Sequence, residues 1–214
     1  MKIIIQSMLK PKPTLYLLLS MYIAGIIGLN LEISADIFKF LTPFNLLFSG
    51  FVLISFHVDK NKAFAFFTVS TLMIGYWIEV IGVNTGLIFG NYQYITTLGF
   101  EVFNVPLMIG VNWLIVAYCS GHILNKVAVP KILKAAFASA LMTAFDYLVE
   151  PIAIRLDMWN WFGEIPPLSN YIGWFCTSFI IQLIYFYAPF KKENPVAIWL
   201  FALQTLFFGI QWLF

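Results

Sequence analysis

Three carboxylic acids interrupt otherwise apolar stretches of this sequence. Glu79 lies within GYWIEVIGV, and Asp146 and Glu150 stand four residues apart in TAFDYLVEP. On a helix that spacing places Asp146 and Glu150 on one side, one turn apart. Ionisable residues are costly in apolar segments and mark functional sites there. Clustered carboxyl groups can divide the roles of general acid and general base, so we predict that Glu79, Asp146 and Glu150 form a catalytic site.

The segments that must position these carboxyl groups have the composition of membrane helices. The chain of 214 residues is 61% apolar and 10% charged, with a mean hydropathy of +0.88. Soluble domains carry roughly 25% charged residues. We predict one all-α domain over residues 1–214, a polytopic membrane helix bundle of about seven spans of the length that a bilayer requires. The predicted spans are 15–31, 41–56, 63–83, 105–123, 132–149, 172–188 and 197–214.

The lysines predict how the bundle is oriented. They concentrate in the N-terminal leader, which includes Lys2, and in the second, fourth and sixth connecting loops. The positive-inside rule therefore predicts an internal N-terminus. Glu79 and Asp146 then lie about 24 and 21 Å above the inner starts of their spans, near the outer rim. The expected location is the bacterial inner (plasma) membrane.

Other features limit the range of functions. A formal charge of +2 is too small to suggest a nucleic-acid partner. Cys119 and Cys176 lie far apart in apolar runs, which predicts buried thiols rather than a disulfide or a metal site. The sequence has no nucleotide or flavin motif and no His or Cys cluster with ligand spacing, so we predict no cofactor and no metal.

Two motifs that contain the carboxylates resemble signatures of the carotenoid biosynthesis membrane family, which includes carotenoid hydratases and bisanhydrobacterioruberin hydratases. The first motif comprises Glu79, Gly82, Thr85, Gly86, Phe89, Gly90, Tyr92, Tyr94, Leu98, Gly99, Pro106 and Trp113. The second comprises Ala144, Asp146, Glu150, Pro151, Trp159, Trp161, Pro166, Asn170, Gly173 and Trp174. The two motifs extend over about half of the chain, roughly residues 75–174, and their combination is more specific than either alone.

The resemblance implies an enzyme that adds water to a terminal double bond of a lycopene- or γ-carotene-type end group. Such a hydro-lyase needs a neutral carboxylic acid to protonate the alkene and an ionised one to stabilise the tertiary cation and accept a proton from water. Aromatic rings would stabilise the cation and stack on the polyene, while Asn84, Thr85 and Asn170 would position the water. The predicted substrate-binding residues are Asn84, Thr85, Tyr92, Tyr94, Trp113, Trp159, Trp161, Asn170 and Trp174.

Two other functions are compatible with the same residues. A membrane carotenoid cyclase would use the same protonation but capture the cation with an internal double bond. A small-molecule or proton-coupled transporter would use the outer carboxylates to bind a cation or a proton. A retinal photoreceptor is disfavoured because 197–214 contains no lysine for a Schiff base. The expected partners are a carotenoid substrate, the lipid bilayer and other carotenoid-pathway enzymes.

Overall fold

The computed structural model describes residues 10–163 and 165–214. Each predicted span corresponds to a helix in this part of the chain, which confirms the all-α helix bundle. Lys2 lies outside the described residues, and the orientation of the bundle in the membrane stays a prediction. The helices are α1 (Pro11–Leu29), α2 (Ala35–Ser55), α3 (Lys62–Thr85), α4 (Met108–Asn125), α5 (Lys131–Arg155), α6 (Leu168–Tyr187) and α7 (Ala197–Gln211).

The helices differ in how well each could cross a bilayer by itself. Helices α1 to α5 are long and apolar enough to do so. Helix α6 has 20 residues but includes the buried polar side chains of Asn170 and Gln182, which lower its hydropathy. Helix α7 has only 15 residues, about 22 Å at 1.5 Å per residue. We therefore expect the membrane insertion of α6 and α7 to depend on contacts with the other helices more than that of the five apolar helices does.

Helix α4 is the centre of the bundle. It packs against α2, α3, α5, α6 and α7, and its residues from Trp113 to His122 are all buried. Helices α1 and α2 are more peripheral and turn large apolar side chains outward, as lipid-facing helices do. Cys119 on α4 is buried as predicted, whereas Cys176 on α6 is exposed, which corrects its predicted burial. Its position on the outward side of α6 is the reason.

Helix α5 continues past the point where the sequence predicted its end. Pro151 disfavours helical geometry in the residue before it, and the predicted span ends at residue 149. The helix instead runs through Pro151 to Arg155. A proline inside a helix cannot donate to the carbonyl four residues earlier, here that of Tyr147. In the same turn, the indole Nε1 of Trp212 donates a hydrogen bond to the Leu148 carbonyl at 2.9 Å. Glu150 consequently stays on the helix, one turn above Asp146.

Two long connections form a cap over one end of the bundle. They contain a 3-10 helix, Thr96–Leu98, and the short strands β1 (Tyr92–Tyr94), β2 (Glu101–Val102), β3 (Val105–Pro106) and β4 (Trp159–Trp161). Strand β1 pairs with β4 and β2 with β3, both antiparallel. Thr97 Oγ1 also donates to the Leu156 carbonyl at 2.9 Å. The cap therefore joins the connection after α3 to the connection after α5.

Candidate active site

Glu79 lies on the buried face of α3, near the capped end of the helix, with 4% of its surface exposed. Its carboxylate accepts three hydrogen bonds. Trp113 Nε1 donates to Oε1 at 3.0 Å, Tyr94 Oη donates to Oε2 at 2.9 Å, and Tyr92 Oη donates to Oε2. Gly75, one turn earlier on α3, makes this approach possible, because a Cβ there would lie 2.4 Å from Trp113 Cβ.

Asp146 and Glu150 face the same site from α5 and are 2% and 3% exposed. Glu150 Oε2 accepts hydrogen bonds from Trp159 Nε1 at 3.0 Å and from Trp161 Nε1 at 2.8 Å. Asn170 Nδ2 on α6 donates to Asp146 Oδ2 at 2.9 Å and more weakly to Glu150 Oε1 at 3.4 Å. Asn170 therefore joins the two carboxyl groups of α5. Among the described residues, Asp146 Oδ1 has no hydrogen-bond donor.

The pairing of β1 with β4 determines which aromatic residue reaches which carboxylate. Tyr92 lies opposite Trp161, and Tyr94 lies opposite Trp159. Alternate residues of a strand point to the same side, so four aromatic side chains point from this two-stranded ribbon toward the helices. The two tyrosines donate to Glu79 and the two tryptophans to Glu150. The ribbon therefore covers the site and donates hydrogen bonds to carboxylates of two different helices.

The carboxylates surround a cavity, which we call the chamber, with a volume of about 30 Å³. A water molecule needs about 10–15 Å³ of such space, so the chamber has room for one or two. Apart from the carboxyl and amide groups and Ile109, its walls are aromatic, and Trp174 stacks on Trp113 with ring centroids 4.1 Å apart. The lining residues are Glu79, Phe89, Tyr92, Tyr94, Ile109, Asn112, Trp113, Asp146, Glu150, Trp159, Trp161, Asn170 and Trp174.

A larger apolar groove of about 500 Å³ adjoins the chamber. It is lined mainly by apolar side chains of α1, α2 and α7, including Met21, Phe44 and Phe207. Ile109, Asn112 and Trp159 line both the groove and the chamber. The groove therefore lies beside the chamber that contains the carboxyl groups, and the two cavities share part of their walls.

The electrostatics of the site depend on neutral donors. In residues 10–163 and 165–214 the one ion pair, Lys39 with Asp157, does not involve the three buried carboxyl groups. Burial raises the pKa of Tyr92 and Tyr94 well above the ordinary value of 10.0, and the neighbouring Glu79 raises it further. Both phenols therefore stay protonated and remain hydrogen-bond donors at neutral pH.

Most, but not all, of the residues predicted from the sequence line the chamber. Asn84 and Thr85 are exposed at the end of α3, where Asn84 Nδ2 donates to the Val80 carbonyl and Thr85 Oγ1 to the Ile81 carbonyl. Their predicted role of positioning water is therefore not supported. Asn84 also donates to the Phe103 carbonyl at 3.1 Å and accepts from Asn104 Nδ2 at 2.9 Å, so its amide is engaged by the cap rather than by the chamber.

Asn112 was missed by the sequence analysis. It lies on α4, one residue before Trp113, at the boundary between the groove and the chamber. Within the described residues its amide has no hydrogen-bond partner, and the side chain is half-buried. The one signal in the sequence was an amide side chain within an otherwise apolar run, which also occurs for structural reasons.

Comparison with known proteins gives one family. A family model described as "Carotenoid biosynthesis protein" matches residues 41–212, which include every residue of the chamber. Searches of curated proteins and of solved structures gave no match.

Proposed function

The chain belongs to the carotenoid biosynthesis protein family, and from this premise we propose that it is a hydratase that adds water to a terminal carotenoid double bond. Membership in the family supports a role in carotenoid biosynthesis with a carotenoid substrate. The long apolar helices support an integral membrane protein. Within the proposal, residues 1–214 form one membrane domain, located in the bacterial inner membrane.

The observation that carries the proposal is the contact between two unlike cavities. Three buried carboxyl groups line a chamber with the volume of one or two waters, and an apolar groove of about 500 Å³ shares Asn112 and Trp159 with the chamber wall. Hydration of an alkene requires both spaces, since the hydrocarbon must lie in an apolar environment while its last double bond reaches an acid and a water.

Asp146 is the proposed proton donor. Adding a proton to the less substituted carbon of the double bond forms a C–H bond and leaves a tertiary cation. The donor must be a neutral carboxylic acid, and Asp146 has one carboxyl oxygen without a donor, on which a proton can reside. Glu79 accepts three hydrogen bonds from Tyr92, Tyr94 and Trp113, an arrangement suited to the ionised form.

Capture of the cation completes the addition. Water in the chamber forms the C–O bond and releases one proton to Glu150, the proposed base, whose Oε2 is held by Trp159 and Trp161. Transfer of that proton to Asp146 restores the starting state, because the two carboxyl groups lie one turn apart and share Asn170. Asn112 and Asn170 are the proposed residues that orient the water, in place of Asn84 and Thr85.

The aromatic walls have a second proposed role. The rings of Tyr92, Tyr94, Trp159, Trp161 and Trp174 line or adjoin the space where positive charge develops. Ring faces attract a cation by about 0.5–2 kcal/mol each, the larger value applying when the cation is desolvated. Ring stabilisation would therefore add to that of the ionised carboxylates without adding a nucleophile that could capture the cation.

Product mass tests the proposal. The full chain is expressed in a host that accumulates acyclic and monocyclic carotenoids, and the extracted pigments are analysed by mass spectrometry. We expect a product heavier by one water, bearing a tertiary hydroxyl. A product with unchanged mass but altered chromatographic position would indicate cyclisation instead, since cyclisation is an isomerisation. Unchanged pigments on all the substrates would refute both enzyme functions.

A further inference from the structure

A second polar cavity lies at the opposite end of the bundle. It has a volume of about 460 Å³ and is lined by side chains from three connections that are distant in the sequence. Four of them are lysines: Lys131 and Lys134 at the start of α5, and Lys191 and Lys192 after α6. We call this cavity the lysine pocket. Its remaining polar residues are Asp59 and Asn125.

The lysine pocket carries an excess of positive charge. Four lysines against one aspartate leave three positive charges. Asp59 is already engaged, because its Oδ2 accepts hydrogen bonds from the Lys191 backbone N–H at 2.9 Å and from Asn61 Nδ2 at 3.0 Å. Among the described residues, none of the four lysines forms an ion pair with a carboxylate. The pocket therefore keeps an uncompensated positive charge.

The fold holds three of the four ammonium groups in place. Lys192 Nζ donates to the carbonyls of Ala188 at 2.7 Å and of Phe190 at 2.9 Å. Lys134 Nζ donates to the Asn125 carbonyl at 2.6 Å, and Lys131 Nζ lies 5.1 Å from the centre of the Tyr187 ring.

Burial and like charge make this arrangement costly without an anion. Burial, together with the nearby charge of Lys131, lowers the pKa of Lys192 to about 8. An anion in the pocket would offset this cost, because it would interact favourably with all four ammonium groups at once.

We infer that the lysine pocket binds the phosphate group of an anionic phospholipid. Lysines bind phosphate as point charges, and basic pockets between membrane helices accept lipid headgroups. The pocket also includes Phe186 and Tyr187 of α6, so it extends from charged loops onto a helix that faces the bilayer. By lysine counting this is the inner side, where anionic lipids are concentrated. The inference is independent of the proposed reaction.

Lipid retention by the purified full chain tests this inference. The protein is incubated in detergent with equal amounts of phosphatidylglycerol and phosphatidylcholine of the same acyl chains, and bound lipid is counted by native mass spectrometry. We expect preferential retention of one phosphatidylglycerol. The double variant Lys131→Gln with Lys191→Gln should lower this retention about thirtyfold, which corresponds to about 1 kcal/mol for each lysine.

Matched variants separate the effect of the pocket on lipid retention from the effect of overall charge. Lys62→Gln with Lys126→Gln removes the same charge at the same end but outside the pocket lining, and should leave retention unchanged. Lys131→Arg with Lys191→Arg should preserve it. Thermal unfolding checks that each variant is folded. Equal retention of the two lipids, or equal loss in the pocket and control variants, would overturn the inference.

A competition arm identifies the source of the phosphate group. Inorganic phosphate is added to the protein with bound phosphatidylglycerol, and the lipid that remains is counted. A headgroup anchored by its acyl chains should stay bound. Displacement of the lipid by the free ion would overturn the lipid as ligand and identify a soluble phosphate in its place.

Discussion

The two ends of the bundle, named outer and inner after the predicted orientation, both bury polar side chains among aromatic rings, but they differ in whether the buried groups face a cavity. At the outer end, aromatic donors hold Glu79 and Glu150 around the chamber. At the inner end, His57 is fully buried and stacks on Phe64 with ring centroids 3.6 Å apart. Its Nδ1 accepts from Tyr118 Oη at 2.6 Å, and its Nε2 donates to the Asp59 carbonyl at 2.9 Å.

The difference separates a structural polar contact from a candidate catalytic one. Both ring nitrogens of His57 are satisfied by the protein, and the rings of Phe64, Tyr118 and Phe190 pack around it. At the outer end, Asp146 keeps one oxygen without a donor beside free volume. A buried polar group can react only where a substrate or water can reach it. Changes at the outer end should therefore alter activity, and changes at the inner end should alter stability.

The largest effect is expected at the outer carboxyl groups. Asp146→Asn and Glu79→Gln keep the size of each side chain but remove its ability to ionise. Loss of the proposed acid Asp146 should lower the hydration rate about 10²–10⁴-fold, and loss of the Glu79 charge beside the cation should lower it about 10²–10³-fold. Pigment hydration per amount of inserted protein is the measurement. Glu101→Gln is the control, because Glu101 lies in the same cap but is exposed. Full turnover in both chamber variants would mean that another residue is the proton donor.

The next effect is a dependence of stability on pH at the inner end. Burial lowers the pKa of His57 from 6.5 to about 4. Between these values the unfolded chain binds a proton that the folded chain does not, so stability is complete above pH 6.5 and falls by up to about 3 kcal/mol as the pH approaches 4. Thermal unfolding in detergent across this range should show the loss. His57→Gln should flatten the curve, and an equally steep curve in that variant would refute the role of His57.

A smaller loss of stability is expected from Tyr118→Phe. The change removes the hydroxyl that donates to His57 Nδ1, and an unsatisfied buried acceptor costs about 1–3 kcal/mol. Unfolding temperature should fall while hydration per folded molecule stays the same. Tyr16→Phe removes a hydroxyl from a side chain that is 70% exposed and should have little effect. Reduced activity in Tyr118→Phe without destabilisation would contradict the division between the two ends.

The smallest effect concerns the groove beside the chamber. Gly25 lines the groove on α1, and a leucine there would occupy part of the volume proposed for the polyene. We expect KM to rise roughly tenfold, since lost apolar contacts in a binding pocket cost about 1–3 kcal/mol, with little change in kcat. Gly209→Leu on α7 is the control, because a Cβ there meets nothing within 4 Å. Equal KM values in the two variants would mean that the polyene does not bind in the groove.

Much of the site could be predicted from the sequence because its signals are local. The cost of burying a carboxylate makes Glu79, Asp146 and Glu150 conspicuous in apolar runs. Helical spacing then predicts that Asp146 and Glu150 share a side, as the structure confirms. Asn84 and Thr85 follow the same pattern of polar residues near Glu79 but lie outside the chamber, because they are on the exposed side of the last turn of α3, where their side chains bond to the Val80 and Ile81 carbonyls.

The sequence by itself determined that this is a bundle of apolar helices with three carboxyl groups near one end, since hydrophobicity and helical period are properties of neighbouring residues. Only the tertiary structure decided which donor holds each carboxylate, that Asn112 lies between groove and chamber, and that lysines of separate loops meet in one pocket. The reason is that the β1–β4 pairing and both cavities join segments distant along the chain, and composition or spacing does not encode such contacts locally.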